Sequence, residues 1–162
     1  MVVVLMGVSG SGKTTIGKEL AAKLGWPFVE GDDFHPAENV EKMASGTALD
    51  DDDRRPWLRA LGQRVAEACD REEQIVLACS ALKQDHRDQL QRGCPGRVRF
   101  IYLTASEELI RQRLEAREGH FMDPALIHSQ FEALEPPSDA VQVDVSPMPE
   151  EVADDIQRRL GV

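Results

Sequence analysis

Glycine, lysine and threonine occupy every fixed position of the spacing G-x-x-x-x-G-K-[ST] in Gly7-Val8-Ser9-Gly10-Ser11-Gly12-Lys13-Thr14, directly behind the apolar run Val2-Val3-Val4-Leu5-Met6. Residues of these types at this spacing do phosphate chemistry. The glycines permit positive φ angles, so that successive N–H groups converge on one point at a helix N-terminus, where the helix dipole adds positive charge. The nucleotide-binding set is therefore Gly7, Val8, Ser9, Gly10, Ser11, Gly12, Lys13, Thr14 and Thr15. Within it Lys13 can reach the β- and γ-phosphates, and the Thr14 hydroxyl suits a Mg²⁺ position. The competing reading, a glycine-rich turn that binds nothing, fits less well, because both the strand and the helix that the motif needs flank it.

Phosphoryl transfer needs aligned donor and acceptor oxygens, cations on the phosphate oxygens and exclusion of water. Lys13, Asp32, Arg113 and Arg117 are the catalytic candidates. Asp32, in the polar stretch Gly31-Asp32-Asp33-Phe34-His35-Pro36, can orient an acceptor hydroxyl and take its proton, with Glu30 and Asp33 as rivals. Either Glu30 or Asp32 could instead hold a water on Mg²⁺. Arg113 and Arg117 lie four apart, where both can point at one ligand, although paired charges at that spacing are also common on plain exposed helices. For the acceptor, His35 offers hydrogen bonds to hydroxyls, while Arg54, Lys83 and Arg87 offer cations. The acids from Asp50 to Asp53 read equally as a charged helix start.

These groups must be positioned by a chain of 162 residues with a net charge of −10. That length fits one kinase domain spanning 1–162, and the acidic balance argues against nucleic acid or an anionic membrane as partner. Cys69, Cys79 and Cys94 lack metal-ligand spacing and read as reduced thiols, which fits a cytoplasmic home. No charged leader precedes Val2, and no apolar run approaches the ~20 residues a membrane span requires.

Strands are expected at Val2 to Met6, Phe28 to Glu30, Gln74 to Cys79, Val98 to Leu103 and Val141 to Val145, with helices between them. One long helix is expected from about Pro56 to Cys69, and another ends in the last residues. The alternation implies an α/β fold with a mainly parallel sheet and right-handed crossovers. Two helices around Gly119, over about 113–135, read as a mobile lid, the second opened by Asp123-Pro124.

Taken together, the phosphate loop, Gly31-Asp32-Asp33-Phe34-His35-Pro36, Lys42-Met43-Ala44-Ser45-Gly46, Asp51-Asp52-Asp53-Arg54 with Pro56-Trp57-Leu58, Cys79-Ser80-Ala81-Leu82-Lys83 and Gly119-His120-Phe121 resemble the gluconokinases of the short P-loop type. The matching blocks run in the same order from residue 1 to about 135. The resemblance implies a shikimate-kinase-like P-loop kinase fold, a five-stranded parallel sheet ordered 2-3-1-4-5 and a homodimer. It further implies ATP- and Mg²⁺-dependent phosphorylation of D-gluconate on its 6-hydroxyl, with His120 joining Asp32, His35, Arg54, Lys83 and Arg87 around the acceptor. The loop near Asp144 to Met148 would lie against adenine. His86 stands where the family pattern leads one to expect an aromatic hydroxyl. The alternatives are a kinase of another small acceptor, such as shikimate or a nucleoside monophosphate, and a nucleotide-operated binding switch.

Overall fold

The computed structural model describes residues 1–117 and 123–162. Its centre is β1 (Val2–Met6), a wholly buried apolar strand, as a strand covered on both faces must be. Around it β2 (Phe28–Glu30), β3 (Ile75–Ala78), β4 (Val98–Thr104) and β5 (Val141–Asp144) form one sheet in the order β2-β3-β1-β4-β5, with every pairing parallel. The expected order is therefore the observed one.

The period of two along β1 separates the two cores. Val2, Val4 and Met6 pack under α3 (Asp51–Asp70) and α4 (Gln84–Gln91), against Trp57, Leu61, Val65 and Leu90. Val3 and Leu5 face α1 (Lys13–Leu24) and α7 (Pro149–Leu160), against Ile16, Leu20, Val152 and Ile156. Fully burying such a side chain contributes roughly 1.5–3 kcal/mol, so β1 has no position that tolerates a polar residue cheaply. A third cluster, Val8 with Leu82, Ile110, Leu114 and Ile127, seats α5 (Glu107–Glu115) and α6 (Pro124–Ala133) over the phosphate loop.

Two features differ from the sequence reading. The helix expected from Pro56 starts at Asp51, because Asp50 and Asp53 form a reciprocal capping box: the Asp53 N–H donates to Asp50 Oδ1 at 2.7 Å, and the Asp50 N–H donates to Asp53 Oδ2 at 3.0 Å. Pro56 then falls early in the helix interior, and the acids occupy its positive end. The cysteines also need correction. Cys69, at the end of α3, is disulfide-bonded to Cys94 in the turn after α4, with their Cα atoms 6.0 Å apart. Cys79 alone is free; burial pushes its thiol pKa up to about 12, which leaves it inert.

Candidate active site

The site lies at the carboxyl ends of β1, β2 and β3, where an open parallel sheet binds its ligands. β1 delivers the phosphate loop, and Gly12 enters α1 at φ 92°, a left-handed angle that a residue with a Cβ rarely adopts. The Lys13 ammonium donates to the carbonyls of Gly7 and Val8, each at 2.9 Å. Burial lowers its pKa, while the nearby carboxylates of Asp32 and Glu30 act in the opposite sense.

β2 delivers the acids. At Gly31 a Cβ would collide with the Ala78 carbonyl oxygen of β3, so only glycine lets the chain leave β2 this close to its neighbour. The one-turn 3-10 segment Gly31–Phe34 follows, with the Glu30 carboxylate accepting from the Asp32 N–H at 3.4 Å. The Trp57 indole N–H, reaching from α3, donates to the Gly31 carbonyl at 2.8 Å and pins this turn from below. Glu30 also accepts from the Thr14 hydroxyl at 2.5 Å. The Thr14 hydroxyl and the Glu30 and Asp32 carboxylates line one cavity and offer oxygen donors of the kind Mg²⁺ takes, although no three His, Cys, Asp or Glu side chains among the described residues come together as a metal-holding group of their own.

Two cavities meet here. The first is lined by the phosphate loop with Thr14, Thr15, Glu30, Asp32 and Arg117. The second is lined by Asp32, His35, Leu49, Arg54, Trp57 and Gln130, among others. Ser9, Lys13 and Asp32 belong to both. A third recess, between Arg113, Arg117 and the Val145 to Pro149 loop, adjoins Gly10 and Gly12 on the far side.

The sequence-derived residues separate accordingly. Both arginines line the third recess; Arg117 also reaches the phosphate cavity, whereas Arg113 donates to the Val145 carbonyl. His35 and Arg54 line the acceptor-side cavity. Lys83 stands beside it, bonded to Asp51 at 3.1 Å, and the same carboxylate oxygen takes Arg54 at 3.4 Å. That hydrogen bond and charge hold the Asp51 carboxyl below its usual range.

Arg87 is the clear correction. Its guanidinium is buried and donates to the carbonyls of Ala81, Leu82 and Glu135 and to Gln84 Oε1. Ala81 has φ 43°, so Arg87 clamps a left-handed turn and does not join the acceptor set. His120 and Gly119, expected as substrate ligand and hinge, lie outside the described residues. Gln130 was missed: it bonds Ser9 across 121 residues of sequence and lines the acceptor-side cavity. The available signal was a lone amide beside Leu126, Ile127 and Phe131 on the apolar side of α6.

A parallel sheet whose central strand feeds a phosphate loop, with a second cavity opening off that loop and helices seated above, defines a P-loop kinase. Residues 2–137 match the family model described as an AAA domain. The chain is 46% identical to the thermosensitive gluconokinase of Escherichia coli (strain K12) over 147 residues, which is 88% of this chain and 78% of that protein. A crystal structure of a gluconokinase from Sinorhizobium meliloti 1021 superposes with a TM-score of 0.91 at 43% identity, covering 99% of this chain and 91% of that one. Shikimate kinase from Bacteroides thetaiotaomicron shares the fold, with a TM-score of 0.75 at 19% identity over 100% of this chain and 99% of its own. The chain belongs to the gluconokinase family.

Proposed function

We propose that the chain transfers the γ-phosphoryl group of ATP to the 6-hydroxyl of D-gluconate, giving 6-phospho-D-gluconate and ADP. One observation carries the reading: the phosphate-loop cavity and the second cavity share Ser9, Lys13 and Asp32, so a donor in one and an acceptor in the other meet across common residues. A linear sugar acid needs hydroxyl partners and a cation together, and His35, Asp32 and Arg54 supply that mixture. Asp32 orients the acceptor hydroxyl and takes its proton. Lys13 and Arg117 balance the charge that grows on the phosphate oxygens, Arg54 meets the carboxylate, and Lys83 backs it through Asp51.

Thr14, with Glu30 through water, would hold Mg²⁺, which when bound neutralises phosphate charge, and this leaves Asp32 to serve as the base. The whole of 1–162 acts as one kinase domain, with about 113–135 as its lid. The family resemblance supports a cytoplasmic homodimer, while the Cys69–Cys94 disulfide removes the support that reduced thiols would have lent to that compartment; no helix among the described residues is long and apolar enough to cross a membrane. The test is ADP release against a panel of acceptors, with the product located by ³¹P NMR. Gluconate should be turned over far faster than shikimate or any nucleoside monophosphate; equal rates across unrelated acceptors would remove the assignment.

A further inference from the structure

Behind His35 lies a buried side-chain amide. Asn39, on α2 (Ala37–Ala44), is 3% exposed, and its amide nitrogen makes two contacts: 2.8 Å to the backbone carbonyl of Asp53 and 3.2 Å to His35 Nδ1. A carbonyl can only accept, so the group facing Asp53 must be the NH₂ and not the amide oxygen. One of its hydrogens is spent there, and the other points at the imidazole. His35 Nδ1 must then accept, and the single proton of the neutral ring sits on Nε2. The ring has little freedom to do otherwise. It stacks on Trp57 with centroids 4.3 Å apart and planes 13° from parallel, its side chain is 4% exposed, and burial lowers its pKa and so favours the neutral form.

We propose that Asn39 is a positioning residue that holds His35 as the Nε2–H tautomer, and that this orients the acceptor hydroxyl for attack. The proposal rests on the reading of Asp32 as the base. Nε2 lies 3.9 Å from Asp32 Oδ1, on the acceptor side of the site. A hydroxyl placed between them can only accept from Nε2–H, which turns its own hydrogen toward the carboxylate. As its oxygen forms the new bond to the γ-phosphorus, the bond from that phosphorus to the β,γ-bridging oxygen breaks. ADP leaves with that electron pair, and the hydroxyl proton passes to Asp32. With the opposite tautomer, a bare Nε2 would compete with Asp32 for that hydrogen.

The experiment is ¹⁵N NMR of the imidazoles at pH 9, with His35→Gln assigning the resonance among the four histidines. In the wild type, His35 should show a protonated Nε2 and an unprotonated Nδ1; the reverse pattern overturns the proposal without any variant or any turnover. Asn39→Asp keeps the shape but replaces the donor by an acceptor, so Nδ1 should take the proton. The kcat should then fall about ten-fold or more while KM for ATP stays put, the scale of one misdirected hydrogen bond. That is far below the ~10⁴ lost where a wrong tautomer disables the base itself. A flipped tautomer with unchanged kcat, or a lower kcat with the tautomer unmoved, also overturns it. Failure of Asp32 as base would show separately, as turnover in Asp32→Asn, and would leave the His35 resonances as described.

Discussion

Gln130 holds Ser9 at both ends of one amide: its Oε1 accepts from the Ser9 N–H at 2.7 Å, and its Nε2 donates to the Ser9 hydroxyl at 2.9 Å. α6 is thereby tied to the loop that would cradle the triphosphate, at a residue common to the donor and acceptor cavities. Gln130→Ala should lower kcat/KM for gluconate about ten-fold, since it leaves two polar groups without partners. Gln130→Glu should raise KM for ATP more than Gln130→Ala does, because it sets a negative charge beside the phosphates. Steady-state kinetics with each substrate varied would check both, and equal ATP constants for the two variants would deny that Gln130 lies near the phosphates.

Lys13 and Asp32 should separate binding from chemistry. Lys13→Ala is expected to weaken nucleotide binding and to lower kcat by about 10²-fold or more, as loss of a charge aimed at the phosphates does. Asp32→Asn should leave ATP affinity near that of the wild type and lower kcat by about 10²–10⁴. Nucleotide titration beside initial rates distinguishes the two, and normal turnover in the Asn variant would take Asp32 out of its role.

Much of this was legible because it is local. The phosphate loop is eight consecutive residues whose spacing is itself the mechanism, and the short β-branched apolar run before it reads as the doubly covered strand that the structure has. Less legible were roles decided by distant partners. Arg87 looked like a cleft cation, yet its guanidinium reaches the Glu135 carbonyl 48 residues on; Arg113 is drawn to the Val145 carbonyl 32 residues on. Cys69 and Cys94, 25 residues apart, meet only because α3 and α4 pack side by side. A charge or a thiol in sequence has no direction, and the fold supplies it.

That contrast separates two arginines. Arg87→Ala would strip charged donors from buried carbonyls around the Ala81 turn, at a cost of about 3 kcal/mol. In a chain of this size that lowers Tm by about 6–12 °C. Arg54→Ala should barely move Tm, since its ion pair with Asp51 is exposed on the acid side, but should raise KM for gluconate. Melting curves and acceptor kinetics on both variants give the check, and the opposite pattern would return Arg87 to the acceptor set.

His86 makes stability depend on pH in a defined window. It lies in the first turn of α4, 5% exposed, where its Nδ1 accepts from the Lys83 N–H at 3.4 Å. Burial, with Arg54 and Lys83 nearby, pushes its pKa from the ordinary 6.5 down to about 4. The unfolded chain therefore binds this proton below about pH 6.5, and the folded chain does not until about pH 4. The unfolded state holds more protons across that interval, so stability is complete above pH 6.5 and falls as the pH drops toward 4, by at most about 3 kcal/mol from this group. His35, lowered by burial, adds a change of the same sign. Denaturant unfolding at pH 5 and pH 7.5 should show the wild type losing stability at the lower pH, and His86→Gln losing less. An identical pH difference in the two proteins would mean that His86 is already charged in the folded state or never buried.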